Sequence, residues 1–210
     1  DMYSNMGVVF ATSAGNNGNV NFHIDKTYAT DTLLSKIDFY VNAGLPTVWG
    51  QSIHMWGEPG NEFSSGIRVL NASDQIVGES LLYSTATTTN YVDSFVIANG
   101  IDTVWFNLSA DAAYPTNGRP QTRLRVKFPP VIYKVVLVST APSGKVHYWN
   151  VTELTNDVGN WGMPFSSLGA GYTLGNDSYG VGTPACSNTA ISVAAYSSEY
   201  YTPLGTLVGG

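Results

Sequence analysis

The chain has 210 residues, only 11% of them charged, with a net charge of −6 and a single cysteine. That balance excludes a nucleic-acid partner, because no basic cluster is large enough to neutralise phosphates, and one cysteine excludes both a disulfide framework and a cysteine-built zinc centre. The length allows one large or two small domains with a real core, and the Gly, Tyr, Thr, Ser and Asn content suits a rigid β-rich secreted protein.

In chain order, Gly7-Val-Val-Phe-Ala-Thr-Ser-Ala-Gly-Asn-Asn-Gly18 is an apolar run that breaks into a Gly/Asn turn. A continuous apolar run of this kind fits a parallel strand covered on both faces. Thr30 to Ser35 predicts a short turn of helix capped by Thr30 or Asp31. From residue 36 to 151 the dominant period is two, the mark of half-buried strands. Lys36–Val41 alternates with Ile37, Phe39 and Val41 on one face. Val48–Trp56, Gly66–Leu70 and Gln75–Gly78 follow, the last two separated by the turn-forming Asn71-Ala-Ser-Asp74. Tyr91–Ile97 leads into Asn99-Gly100, a strong hairpin signal, and Ile101–Leu108 then places Val104 and Phe106 opposite Thr103 and Trp105.

Residues 109–121 read as a loop, and Arg119 to Lys127 as a solvated strand face. Thr122–Phe128, Val131–Val138 and Lys145–Val151 bring the set to roughly nine strands, spaced as in a sandwich or jelly roll. Phe39, Val41, Val104, Phe106, Val136 and Val138 are expected to face its interior. Thr155 to Gly182 is irregular, and Tyr179-Gly-Val-Gly-Thr-Pro-Ala-Cys-Ser-Asn-Thr-Ala-Ile-Ser-Val-Ala-Ala-Tyr196 is a Gly/Pro loop feeding another apolar strand.

Most chemical signals have bland readings. Cys186 begins a buried strand as a small hydrophobe. His23, His54 and His147 sit in strand-like contexts as surface or interface side chains, and most of the five tryptophans read as packing. An exposed Trp/Tyr row would instead mark a sugar- or peptide-binding face. Gly180 to Ala185 formally matches G-x-G-x-x-A, but it precedes a strand and carries a proline where a helix must start, so no dinucleotide is expected. Glu58 and Glu62 lie in one loop without the cleft a glycosidase pair requires. No cofactor is expected; Asp74, Asp157 and Asp177 offer oxygens suited to calcium, but without an EF-hand spacing. Asn71, Asn107, Asn150 and Asn176 begin glycosylation sequons, which matter only in a eukaryotic source. No apolar run is long enough to cross a bilayer.

The two ends carry a sharper pattern. Val8 to Gly18 and Val181 to Ala194 resemble the subtilisin-like serine peptidases, with their V-x-A-A-G-N-x-G strand and turn, V-G-x-P-A loop and I-x-V-G-A strand. In compact members about twenty residues separate the two, whereas here the whole middle of the chain does. That middle is similar in kind to the jelly-roll inserts of some subtilases, such as clostridial germination-protease relatives, at Phe39, Trp56 and the Phe63-to-Val69 strand.

The resemblance implies a mainly β chain. A jelly-roll or β-sandwich insert at 27–158 would be flanked by strands of a subtilase α/β domain at 1–26 and 159–210, with Val8–Ala11 and Ile191–Ala194 side by side and parallel. It implies that Asn16 donates its side-chain amide to the oxyanion, that Ser13, Ala14 and Gly15 wall the primary specificity pocket, and that Gly182 lies at its far side. Taken alone, Asn16-Asn17-Gly18 is simply a turn. The second Asn and the Cys-Ser-Asn after Pro-Ala depart from the compact enzymes, so pocket depth and polarity do not carry over.

The D-[ST]-G, H-G-T-H and G-T-S-x-[AS] motifs of the triad are absent, so this chain by itself is expected to be inactive. It is expected to belong to a longer secreted or cell-surface bacterial endopeptidase, with the remainder of the catalytic domain and a peptide or protein substrate as partners. The insert would shape access to the pocket. The competing class is a carbohydrate- or protein-binding module with a scaffold or adhesive role.

Overall fold

Period-two alternation and dense turn residues produce strands throughout a computed structural model of the chain, which describes residues 10–15, 17–41, 48–155, 158–181, 190–193, 200–201 and 207–209. The strands are β1 (Phe10–Ser13), β2 (His23–Thr27), β3 (Thr32–Ile37), β4 (Val48–Gly57), β5 (Ser64–Leu70) and β6 (Ile76–Glu79). There follow β7 (Tyr83–Ser84), β8 (Val92–Ala98), β9 (Asp102–Asp111), β10 (Gln121–Lys127), β11 (Lys134–Thr140) and β12 (Lys145–Leu154). The last are β13 (Val158–Gly162), β14 (Phe165–Ser166), β15 (Ala190–Val193), β16 (Tyr200–Tyr201) and β17 (Leu207–Gly209). No helix occurs among the described residues.

The chain divides into two units: Asn19–Ser178, and the pair of end segments Asp1–Gly18 with Tyr179–Gly210. The larger unit is a β-sandwich of antiparallel strands. One sheet runs β13-β12-β4-β10-β9-β8 with β2 also on β12, and the other runs β14-β3-β11-β5-β6 with β7 on β5. The unit reaches past 27–158 on both sides, because β2, β13 and β14 were too short or too irregular to stand out as alternating runs. In the smaller unit β1 and β15 lie parallel, with Phe10 opposite Ala190 and Ser13 opposite Val193, as expected from the two apolar runs and the family pattern they resemble. Val8, Val9 and Ala194 lie outside the described residues.

The sandwich core is made of alternate residues. Ile53, Met55, Val104, Phe106, Leu108, Leu124 and Val126 come from one sheet, and Leu33, Ile37, Ile67, Val69, Val135 and Leu137 from the other. Each such side chain contributes roughly 1.5–3 kcal/mol by leaving water. A polar relay crosses this core: the Tyr28 hydroxyl lies 2.6 Å from that of Tyr148, Tyr148 donates to Ser139 Oγ at 2.9 Å, and Ser139 donates to the Ser64 carbonyl. Every hydroxyl in the relay has its acceptor, so the neutral groups are satisfied, while burial disfavours the phenolate and holds the Tyr148 pKa well above its ordinary value.

Several expectations need correction. Thr30–Ser35 is not helical: Thr30 turns at φ 84° and β3 begins at Thr32, so Leu33, Ser35 and Ile37 are the inward set. The strand stops there, leaving Phe39 half-buried against the core and Val41 76% exposed. On β11 the inward pair is Val135 and Leu137. Val136 and Val138 are also buried, but on the opposite face. Their neighbour Gly66 lets the Ser80–Leu81 backbone lie against that face; a Cβ there would stand 2.5 Å from the Leu81 carbonyl oxygen. Five consecutive apolar or small buried residues erase the alternation that a sequence argument needs. Val104 and Phe106 do face the core, with Trp105 outside.

Candidate functional site

In the smaller unit, the residues given to the specificity pocket sit where β1 ends. Ser13 closes the parallel ladder opposite Val193, and the Ala14 N–H donates to the Val193 carbonyl at 2.9 Å, extending the pairing one residue further. Gly15 then takes φ 100°, a left-handed conformation that a side chain strains, so the chain leaves the strand sharply at this point. Ser13 and Gly15 are exposed and Ala14 is half-buried. Among the described residues β1 pairs on one side only, which leaves the other edge of Ser13–Gly15 with backbone groups to offer. Ile191 and Val193 are 56% and 55% exposed. Asn16, Gly182 and Cys186 lie outside the described residues.

In the sandwich unit, tertiary structure brings together residues that the sequence leaves far apart. All three histidines of the chain lie on the outer face of the seven-stranded sheet, together with Trp56 and Trp149. His23 Nδ1 is 2.9 Å from Asn176 Oδ1, and its Nε2 is 3.0 Å from His147 Nδ1. Trp149 stacks on His147 at 5.6 Å and tilts over His23 at 4.9 Å. Burial lowers the pKa of both imidazoles, and at His147 the charge of His23 lowers it further. No tryptophan belongs to the buried core between the sheets; Trp49, Trp56 and Trp149 are half-buried and pack on the outer face against Arg125, Tyr114 and the two histidines.

His54 lies on β4, opposite Trp149 on one side and Arg123 on the other. Its Nε2 is 3.2 Å from Ser52 Oγ, while Arg123 Nε donates to the same oxygen at 3.0 Å. A serine beside a histidine invites comparison with a nucleophile and its base. Burial, helped by Arg123, pushes the His54 pKa down to about 4, so it is a weak base at neutral pH. Ser52 is fully buried, which closes it to a substrate. The arrangement is structural.

Next to it, Glu153 pairs with Arg123 at 2.8 Å and with Arg125 at 2.9 Å, and Arg125 lies 4.6 Å above the Trp49 ring. Arg123 and Arg125 were read from sequence as one solvated face. The carboxylate that gathers them lies on β12, two strands away across β4, and no local signal announces it.

The other candidates disperse. Glu58 accepts a hydrogen bond from the Lys145 backbone at 3.0 Å. Asp74 pairs with Lys134 at 2.6 Å, Asp177 is exposed, and Asp157 lies outside the described residues. Among the described residues no three His, Cys, Asp or Glu side chains converge as a metal site would require. Of the sequon asparagines, Asn150 is fully buried, with its amide donating to the Asp38 and Pro164 carbonyls, and Asn107 is buried as well, so neither is open to glycosylation. No helix among the described residues is long and apolar enough to cross a membrane.

No protein-family model matches the chain, and no curated protein matches it by sequence. Its fold is similar to part of a solved structure, the CspB protease of Clostridium perfringens, with a TM-score of 0.57 over 93% of this chain at 15% identity. The chain spans 37% of the length of that protease.

Proposed function

We propose that this chain is the insert-bearing, non-catalytic part of a secreted or cell-surface bacterial subtilisin-like serine endopeptidase, and that its sandwich governs access to the substrate pocket. The observation that carries this reading is the parallel pairing of β1 with β15, followed directly by the Gly15 turn. Two apolar strands more than 170 positions apart come together in the relationship that the subtilase pattern requires. The fold likeness to the CspB protease over nearly the whole chain supports it independently. The bare Ile191 and Val193 side chains fit parallel strands that further layers of an α/β domain cover.

In this reading Asn16 donates to the oxyanion, Ser13–Gly15 and Gly182 frame the primary pocket, and the nucleophile, base and acid are supplied from elsewhere in the enzyme. A donor aimed where charge develops stabilises the transition state more than the substrate. The sandwich begins at Asn19 and ends at Ser178, within a few residues of Asn16 and Gly182 respectively, so both tethers are short. With both connections short, the sandwich is read as favouring extended peptides over bulky folded substrates.

Replacing residues 19–178 by a Gly/Ser linker in the full-length enzyme tests the idea. The kcat/KM for folded protein substrates is expected to change far more than that for a small chromogenic peptide. Equal changes would make the sandwich a brace for the catalytic domain. No change in either would favour a second reading, a carbohydrate- or protein-binding module, which the outward placement of Trp56, Trp105 and Trp149 supports. A glycan-binding screen addresses that reading directly.

A further inference from the structure

The sandwich protects its sheet edges with one conspicuous exception. On the six-stranded sheet, β14 and β7 are two residues long, and β6 is four residues long with a register break against β5. On the seven-stranded sheet, β13 carries a register break against β12, and β2 is bridged at His23 by Asn176 in both directions. Such devices prevent unwanted strand addition. At the other end of this sheet, β8 is seven residues long, runs against β9 with no register break, and carries neither proline nor lysine. Its final part is covered: the Asn99 N–H donates to the Val77 carbonyl, and the Gly78 backbone sits against the Ile97 carbonyl. Val92–Val96 has no backbone partner among the described residues beyond β9.

Apart from the exposed Asp93, the outward side chains along this edge are apolar, where a soluble edge is usually charged. Tyr91 is 60% exposed, Phe95 48%, Ile97 42% and Trp105 45%. Trp105 meets Phe95 edge to face, with ring centres 5.1 Å apart, and so fixes the aromatic at the middle of the edge. The β8–β9 hairpin from Tyr91 to Asp111 contains Asp93, Asp102 and Asp111 and no lysine or arginine.

We propose that the Val92–Val96 edge captures an extended peptide as an added strand, and that the preferred peptide carries alternating apolar side chains flanked by basic residues. The backbone edge supplies the ladder hydrogen bonds, Phe95 and Ile97 supply contacts for alternate side chains, and the acidic hairpin supplies the charge preference. Charge decides against a second copy of this chain as the occupant, because two hairpins whose charged side chains are all acidic would face each other on molecules of net charge −6. This deepens the access reading above, since an edge that binds extended chain favours unfolded segments of a substrate.

The test uses the 210-residue chain and fluorescently labelled Lys-Val-Thr-Phe-Thr-Val-Lys, with the Glu-flanked counterpart as control, read by fluorescence anisotropy. Saturable binding of the basic peptide is expected, at least about tenfold tighter than that of the acidic one, with a slope against salt. Phe95→Lys, which also removes the ring contact with Trp105, is expected to weaken it at least about tenfold while the chain stays folded and its melting temperature falls by no more than a few degrees. Asp93→Lys provides a second arm, because it should narrow or invert the charge preference while leaving the edge intact. Absence of saturable binding, equal affinity for both peptides, or full affinity in Phe95→Lys would overturn the proposal. So would dimerisation in sedimentation experiments that Phe95→Lys abolishes while no peptide binds. None of these outcomes touches the access reading, which is judged on cleavage of large against small substrates.

Discussion

His23 and His147, 124 positions apart, share a hydrogen bond between Nε2 of the first and Nδ1 of the second, 3.0 Å long. One ring must donate and the other accept, so the contact requires at least one neutral imidazole. Asp25 and Lys145 flank this pair, and Arg123 stands beside the neutral His54.

The histidines set the first prediction. All three have folded-state pKa values below the ordinary 6.5, and His54 is near 4. The unfolded chain therefore takes up protons first as pH falls. Stability is full above about pH 6.5 and declines between there and about pH 4, where His54 titrates in the folded state. Urea midpoints measured from pH 8 to pH 4 should show this slope. His54→Gln should flatten part of it, and a slope unchanged by that substitution would contradict the assignment.

The second prediction concerns Glu153, which is 4% exposed and shared by Arg123 and Arg125. Glu153→Gln leaves two partly buried guanidiniums without their counter-charge and is expected to cost about 3–5 kcal/mol in urea unfolding. Arg125→Met, which keeps bulk over Trp49 while leaving the Arg123 pair, should cost less.

The third separates the interior of β11 from the exposed segment that precedes it. Leu137→Ala opens a cavity between the sheets and should cost about 2–5 kcal/mol. Val131→Ala, at a residue 91% exposed, should stay within about 0.5 kcal/mol.

Gly66→Ala provides the fourth. Its Cβ would meet the Leu81 carbonyl oxygen at 2.5 Å and the Ser80 Oγ at 2.6 Å, lifting the segment that covers Val138. A loss of about 1–3 kcal/mol is expected by thermal and urea unfolding. Full native stability would mean that the segment does not seal this face.

The fifth follows from the absent triad motifs. The 210-residue chain should hydrolyse neither chromogenic peptides nor activated esters, because without an activated nucleophile no acyl-enzyme forms. Hydrolysis abolished by a serine-directed inhibitor would refute it.

By itself the sequence determined the β class, most of the long strands and the Asn99-Gly100 turn. Each of these is written locally, as alternation or as a left-handed dipeptide, whereas the pairing of the two distant apolar runs was expected from the family pattern they resemble and not from the runs themselves. Only tertiary structure decided that Thr32–Ile37 is strand and not helix, because pairing with β11 and β14 outweighs a short helical pattern. Only it decided which face of Val135–Val138 is inside, since a segment buried on both faces carries no period. The gathering of His23 with His147 and Asn176, of Glu153 with two arginines, and of an unguarded edge at β8 also waited for it. These are relationships between strands, set by cross-strand register, and no single stretch of chain records which residues will stand opposite one another.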